Sequence, residues 1–116
     1  LGDDLLARGS ATQTRLVGQP VSGPLFEFAP AIDTFLKTHL FGDIFERDNL
    51  DWQSREVATV AMLSAIAGAE SQLRSHLLMS INTGLNHQQL QQLVQILTEQ
   101  VGGDTALRAR TVLAGL

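Results

Sequence analysis

Apolar positions in this chain recur every three or four residues, and no stretch alternates in the two-residue rhythm of a strand. Residues 3–17 predict a helix anchored by Leu5, Leu6 and Leu16, with Gly9, Ser10 and Thr12 weakening its middle. The segment GQPVSGP (18–24) has the composition of a turn or linker. A second helix is expected near Pro30, because proline suits a first helical turn, and carries Ile32, Phe35, Leu36 and Leu40. It should stop near Phe41-Gly42, with one further short turn at 43–45. Asp51 is placed to cap a third helix. That helix is apolar nearly all round from 57 to 67, the pattern of a helix enclosed by protein, here including neighbouring subunits.

Gly68 reads as a hinge into a fourth helix at 70–83, carrying Leu73, Leu77 and Ile81 and ending at Gly84. Asn86 with Gln89 three residues on is a capping-box pattern. It opens a fifth helix whose expected stripe is Leu90, Leu93, Val94, Leu97 and Val101. Gly102-Gly103 ends it, and Asp104 opens a last helix with Leu107, Val112 and Leu113. The expectation is an all-α bundle of about six helices, built around the hairpin at Gly68 and oligomeric. An N-terminal helix and linker (1–24) and a helical remainder (25–116) form one structural domain.

Composition narrows the chemistry. At 116 residues the chain can bury one core, and 44% apolar residues argue against wholesale disorder. Eight basic and twelve acidic side chains give a formal charge of −4 with no basic run, which disfavours nucleic acid as a partner. The longest apolar run is too short for a bilayer, which needs about 20 residues, so no membrane partner is expected. There is no cysteine, so disulfides and thiolate chemistry are excluded. A cytoplasmic location is expected, and because the chain opens on Leu1 a processed, exported form stays open.

The one pairing with chemical promise is Glu56 and His76, on either side of the hinge. A carboxylate and an imidazole held between apolar helices make a proton-transfer pair. Each residue has a plainer reading. His76 at the edge of an apolar stripe can be a satisfied structural histidine, and Glu56 a favourable charge near a helix N-terminus. If helices run unbroken to Gly68, the two are offset by about 6 Å along the hairpin, so direct contact does not follow. Trp52 reads as a packing residue at a helix start, and His39 and His87 as surface or helix-end residues. Asp43 either borders a pocket or caps a turn. No metal-ligand spacing and no glycine-rich phosphate loop occur, so neither metal nor cofactor is expected.

Three segments, LFGDIFERDNL (40–50), REVATVAMLSAIAG (55–68) and QLRSHLLMSINTGLNHQQLQQLV (72–94), together resemble the carboxymuconolactone decarboxylase family, related in fold to alkylhydroperoxidase D. The resemblance implies an all-helical fold assembling as a homotrimer or homohexamer, and two chemistries. One branch removes carbon dioxide, without a cofactor, from a carboxylated lactone formed in aromatic-compound breakdown. The other is a peroxidase whose Cys-x-x-Cys pair precedes the histidine. Aligned through His76, those cysteine positions hold Ala69 and Gln72, so a thiol peroxidase is excluded.

The resemblance casts His76 and Glu56 as catalytic, and a small anionic substrate calls for a guanidinium, with Arg47, Arg55 and Arg74 as candidates. Each arginine has the alternative of a solvated or interface charge. The expected function is a cofactor-independent carbon–carbon lyase acting on a small carboxylated lactone or keto acid. The alternatives are a non-catalytic oligomeric protein binding a metabolite or partner, and a peroxidase-family relative that has lost its redox cysteines or borrows one from another chain.

Overall fold

Helices account for all the regular structure in the computed structural model, which describes residues 2–116, with side-chain surroundings from Asp4 onward. They are α1 (Gly2–Val17), α2 (Pro24–Phe28), α3 (Pro30–Phe35), α4 (Trp52–Ser64), α5 (Glu70–Asn82), α6 (His87–Gln100) and α7 (Gly103–Ala114). α3 runs on into a wider π-helical segment, Leu36–Ile44. No strand occurs among the described residues. The chain divides into two compact units, 1–51 and 52–116. No helix among the described residues is long and apolar enough to cross a membrane.

In the first unit α1 packs on the π-helical segment. Gly9, Thr12, Gln13 and Leu16 are buried at helical spacing and form its inner face. Gly9 therefore does not weaken the helix; it permits the packing. A Cβ there would lie 1.6 Å from the Lys37 carbonyl oxygen, and one on Gly42 would lie 2.8 Å from Leu5 Cδ1. α1 ends where Gly18, in the left-handed region at φ 93°, donates its N–H to Thr14 O at 2.8 Å. The helix expected to stop near Gly42 continues to Ile44, and Phe45 N–H donates to Leu40 O five residues back, a π-type bond of 2.9 Å. Phe41 and Phe45 are both buried, their ring centroids 5.5 Å apart. The extra helix α2 begins on the last residue of the expected linker, with Pro24 in its first turn.

The second unit has a single core of Val60, Leu73, Leu77, Leu90, Val94, Leu97, Ala109 and Leu113. The expected stripes are right at their centres and wrong at their ends. Ile81, Val101 and Leu107 are exposed, and Ala106 and Ala109 replace Leu107 as the inward face of α7. α4 departs furthest. It stops at Ser64 instead of continuing to 67, and only Glu56, Val60 and Ser64 are buried. Met62 on this helix and Ile66 just past its end are 60% and 51% exposed, so one chain by itself does not enclose this segment. Its end tightens into three-residue spacing, Ala65 N–H to Met62 O and Ile66 N–H to Leu63 O, both 3.1 Å. Gly68, at φ 89°, then turns the chain into α5.

Two local devices match the residues that call for them. Asn86 Oδ1 accepts from Gln89 N–H at 2.8 Å while Gln89 Oε1 accepts from Asn86 N–H at 2.9 Å, which completes the capping box of α6. Glu70, in the first turn of α5, accepts from its own N–H, from Gly68 N–H and from Arg108, and these contacts hold its carboxyl below the usual range.

Two outcomes are expected. Gly9→Ala gains at most about 1 kcal/mol of helix propensity, but the Lys37 carbonyl is backbone and cannot swing aside. Denaturant unfolding should show a net loss of about 2–3 kcal/mol. For Glu70 the folded carboxyl is the stronger acid, so its stabilising effect is complete above the unfolded value near 4.5 and is lost as pH falls through the lower folded value. The stability difference between the parent and Glu70→Gln should thus shrink below that range, as followed by thermal unfolding against pH.

Candidate functional site

Glu56, Val60 and Ser64 fall on one stripe of α4, four residues apart, and that stripe faces α5 and the core. On α5, Leu73, Leu77 and Ser80 are buried and His76 lies at the margin of their face. The two helices thus present a carboxylate and an imidazole to each other. His76 Nδ1 is 2.8 Å from Glu56 Oε2. An ionised carboxylate only accepts, so Nδ1–H donates, and Nε2 is left as the nitrogen available for chemistry. Glu56 is fully buried, whereas the His76 side chain keeps 17% exposure. The pair is a buried acid with an outlet to the surface through one ring.

Direct contact corrects the offset expected from unbroken helices. With α4 ending at Ser64 and α5 beginning at Glu70, Glu56 lies eight residues before one end and His76 six after the other. The remaining offset is about 3 Å, within reach of a glutamate side chain. Residues 65–69 are spent on the turn and add no helical length.

The register of this hairpin is held at both ends. At the closed end Arg108 of α7, its side chain only 15% exposed, donates to Ser64 O at 2.5 Å and to Glu70 Oε1 at 3.1 Å. At the open end Gln53 Nε2 donates to Thr83 O at 2.8 Å, beside Gly84, whose φ of 107° suits glycine. Between them Ser80 Oγ donates to His76 O at 2.7 Å and Ser64 Oγ to Val60 O at 2.7 Å. Sequence periodicity does not single out Arg108 or Gln53. The stripe of Glu56 and Ser64 is readable from spacing, but nothing local connects Arg108 to a carbonyl 44 residues earlier.

One feature of the pair is costly. Glu56 Oε1 is buried with no hydrogen-bond partner among the described residues. An unsatisfied buried acceptor costs about 1–3 kcal/mol, and a leucine there would avoid it.

The sequence-predicted arginines fall at separate places. Arg47 belongs to the first unit, where its Nη2 donates to Asp43 Oδ2 at 3.1 Å. Asp43 also faces His39 Nδ1 at 3.7 Å, so it is held within a charged ladder on the π-helical segment. Arg55 is half-buried, one residue before Glu56, and Arg74 is exposed on α5 two residues before His76. Trp52 is half-buried at the first position of α4, and His87 is exposed at the first position of α6. The positions aligned with a redox dithiol, Ala69 and Gln72, lie at the start of α5, half-buried and exposed respectively. Among the described residues no three His, Asp or Glu side chains gather as a metal site would require.

Breaking the pair from one side should cost more than removing it whole. His76→Leu strands a buried carboxylate and should lower stability by about 3 kcal/mol. Glu56→Leu combined with His76→Leu should recover most of that loss, as read from urea unfolding of the three proteins.

No match of significance is found among curated proteins or among solved structures. The family model described as the carboxymuconolactone decarboxylase family matches residues 30–115. That span takes in α4, α5 and both members of the buried pair, and the chain belongs to the carboxymuconolactone decarboxylase family.

Proposed function

We propose that this protein is a cofactor-independent lyase that decarboxylates a small carboxylated lactone or keto acid, with His76 as the proton donor. The observation that carries the reading is the Glu56–His76 pair itself, with one carboxylate oxygen on the ring and the other unsatisfied in the core. Packing alone would favour an apolar residue at position 56, so a carboxylate there comes at a cost to stability. What it achieves is orientation. Glu56 holds Nδ1–H and stabilises the imidazolium, leaving Nε2 to deliver or accept a proton.

In the reaction the bond between the substrate carbon and its carboxylate breaks, and carbon dioxide leaves. The electron pair is delocalised into the lactone or ketone carbonyl, directly or through a conjugated double bond, as an enolate. The Nε2 proton of His76 then moves to a carbon of that enolate, and solvent returns a proton to the ring. The net change is uptake of one proton and release of carbon dioxide, with no oxidant or thiol needed. A guanidinium to hold the substrate anion would come from Arg55 or Arg74 on the hairpin helices. The exposed apolar side chains Met62 on α4 and Ile66 in the turn after it fit burial between copies in a homotrimer or homohexamer.

A second reading rests on the same burial. Full enclosure of Glu56 also suits a purely structural tie between α4 and α5 in a non-catalytic protein that binds a metabolite or partner. A relative of the peroxidase branch without its cysteines would look the same.

The test is turnover of 4-carboxymuconolactone, followed by carbon dioxide release. Activity is expected in the parent, with kcat reduced about 10²- to 10⁴-fold in His76→Gln and less in Glu56→Gln. A folded His76→Gln protein with undiminished turnover would remove His76 from the mechanism. A folded parent inert toward a panel of carboxylated lactones and keto acids would favour the binding reading.

A further inference from the structure

We propose that the groove between α6 and α7 is a separate binding site for a small carboxylate with an apolar body, anchored by Arg110. The groove has a volume of about 290 Å³, and its polar side is formed by Arg110, His87, Gln91 and Thr98, over Val94 and Leu113. None of these belongs to the Glu56–His76 pair or its supporting contacts, so the inference is independent of the lyase reading.

Charge marks this groove out. On a chain of formal charge −4, Arg8, Arg47 and Arg108 each have a carboxylate oxygen at 3.1 Å. The larger groove of the first unit, about 430 Å³, contains Arg8 and Arg47 together with their own partners Glu46 and Asp43. Those guanidiniums are already neutralised. Arg74 and Arg110 have no such partner among the described residues, and of these two Arg110 is the one that lines this groove. It donates only a long 3.3 Å bond to Thr98 Oγ1 and has no carboxylate partner among the described residues. No acidic side chain lines its groove. The nearest acid in sequence on α6, Glu99, accepts from Gln95 Nε2 at 2.7 Å and is thereby drawn to its own helix.

The chemistry selects the ligand. One planar guanidinium matches one carboxylate in a two-point contact, and Gln91 and His87 offer further N–H donors along the same wall. A single cation is a weak match for a phosphate dianion. Val94 and Leu113, only 8% and 5% exposed, close the groove floor, and the exposed Ala114 borders it, a small apolar surface that fits the edge of a short hydrocarbon or an aromatic ring. The volume falls near the lower end of small-molecule sites, which limits the ligand to a small one. Because Arg110 is exposed, the dissociation constant should lie in the range of about 1–10 mM.

The experiment is an amide NMR titration of the full ¹⁵N-labelled chain with benzoate, inorganic phosphate and benzamide in turn. Benzoate should give saturable shifts over residues 91–98 and 110–114. Affinity should fall about fivefold or more in Arg110→Gln, with Arg110→Lys intermediate. Both variants alter an exposed side chain, and an unchanged parent-like spectrum verifies their fold. Four results would each overturn the assignment: no saturation by about 50 mM benzoate, equal affinity in Arg110→Gln, benzamide binding as well as benzoate, or phosphate binding more tightly. Shifts centred on 56 and 76 instead would also defeat it, while leaving the lyase reading intact.

Discussion

A carboxylate with no exposed surface, bonded to one ring nitrogen across two helices, is the constraint around which the second unit is arranged. Such a group is tolerable only if its partner stays within hydrogen-bond reach, because an uncompensated charge in the core costs several kilocalories per mole. The hairpin must therefore keep its register to within a fraction of a helical turn. Apolar packing of Val60 against Leu73 and Leu77 supplies most of the driving force, but packing tolerates small slides. Directional bonds do not. Arg108 at one end of the hairpin and Gln53 at the other stop the helices from sliding past each other, and His76 is held between those two fixed points.

The same arrangement explains why α7 matters to a site it does not enter. Arg108 reaches the final carbonyl of α4, one of the orphan acceptors at any helix end, and at the same time the carboxylate that opens α5. A favourable charge at a helix N-terminus and a cation at a helix C-terminus are thereby joined by one side chain. The turn can stay short and glycine-bearing because its ends are tied from outside.

Much of this arrangement is legible in the order of residues. Helix positions follow from spacing, the α6 cap from Asn86 and Gln89, and the turn from Gly68. Family membership follows from segments that the match over residues 30–115 covers. The departures share a cause. Ile81, Val101 and Leu107 extend apolar stripes past the point where a neighbouring helix covers them, and a stripe carries no record of where its partner ends. Gly9 reads as a helix weakness because the Lys37 carbonyl it accommodates lies 28 residues away in sequence, on another helix. The apolar run 57–67 reads as one helix, yet α4 ends at Ser64 and the run continues into the turn, where Ile66 is exposed.

Sequence alone determined the helical class and the absence of thiol chemistry, and it singled out Glu56 and His76 as a carboxylate and an imidazole on either side of one turn. These depend on local periodicity and on which functional groups exist, and neither needs a partner helix to be specified. Whether the two residues touch was decided only by tertiary structure. Five residues of turn subtract from the helical lengths, and Arg108 and Gln53 set the register, so contact depends on where α4 stops and α5 starts. The same holds for Arg110. Its lack of a counter-ion among the described residues is a statement about which carboxylates fold toward it, and no local pattern encodes that.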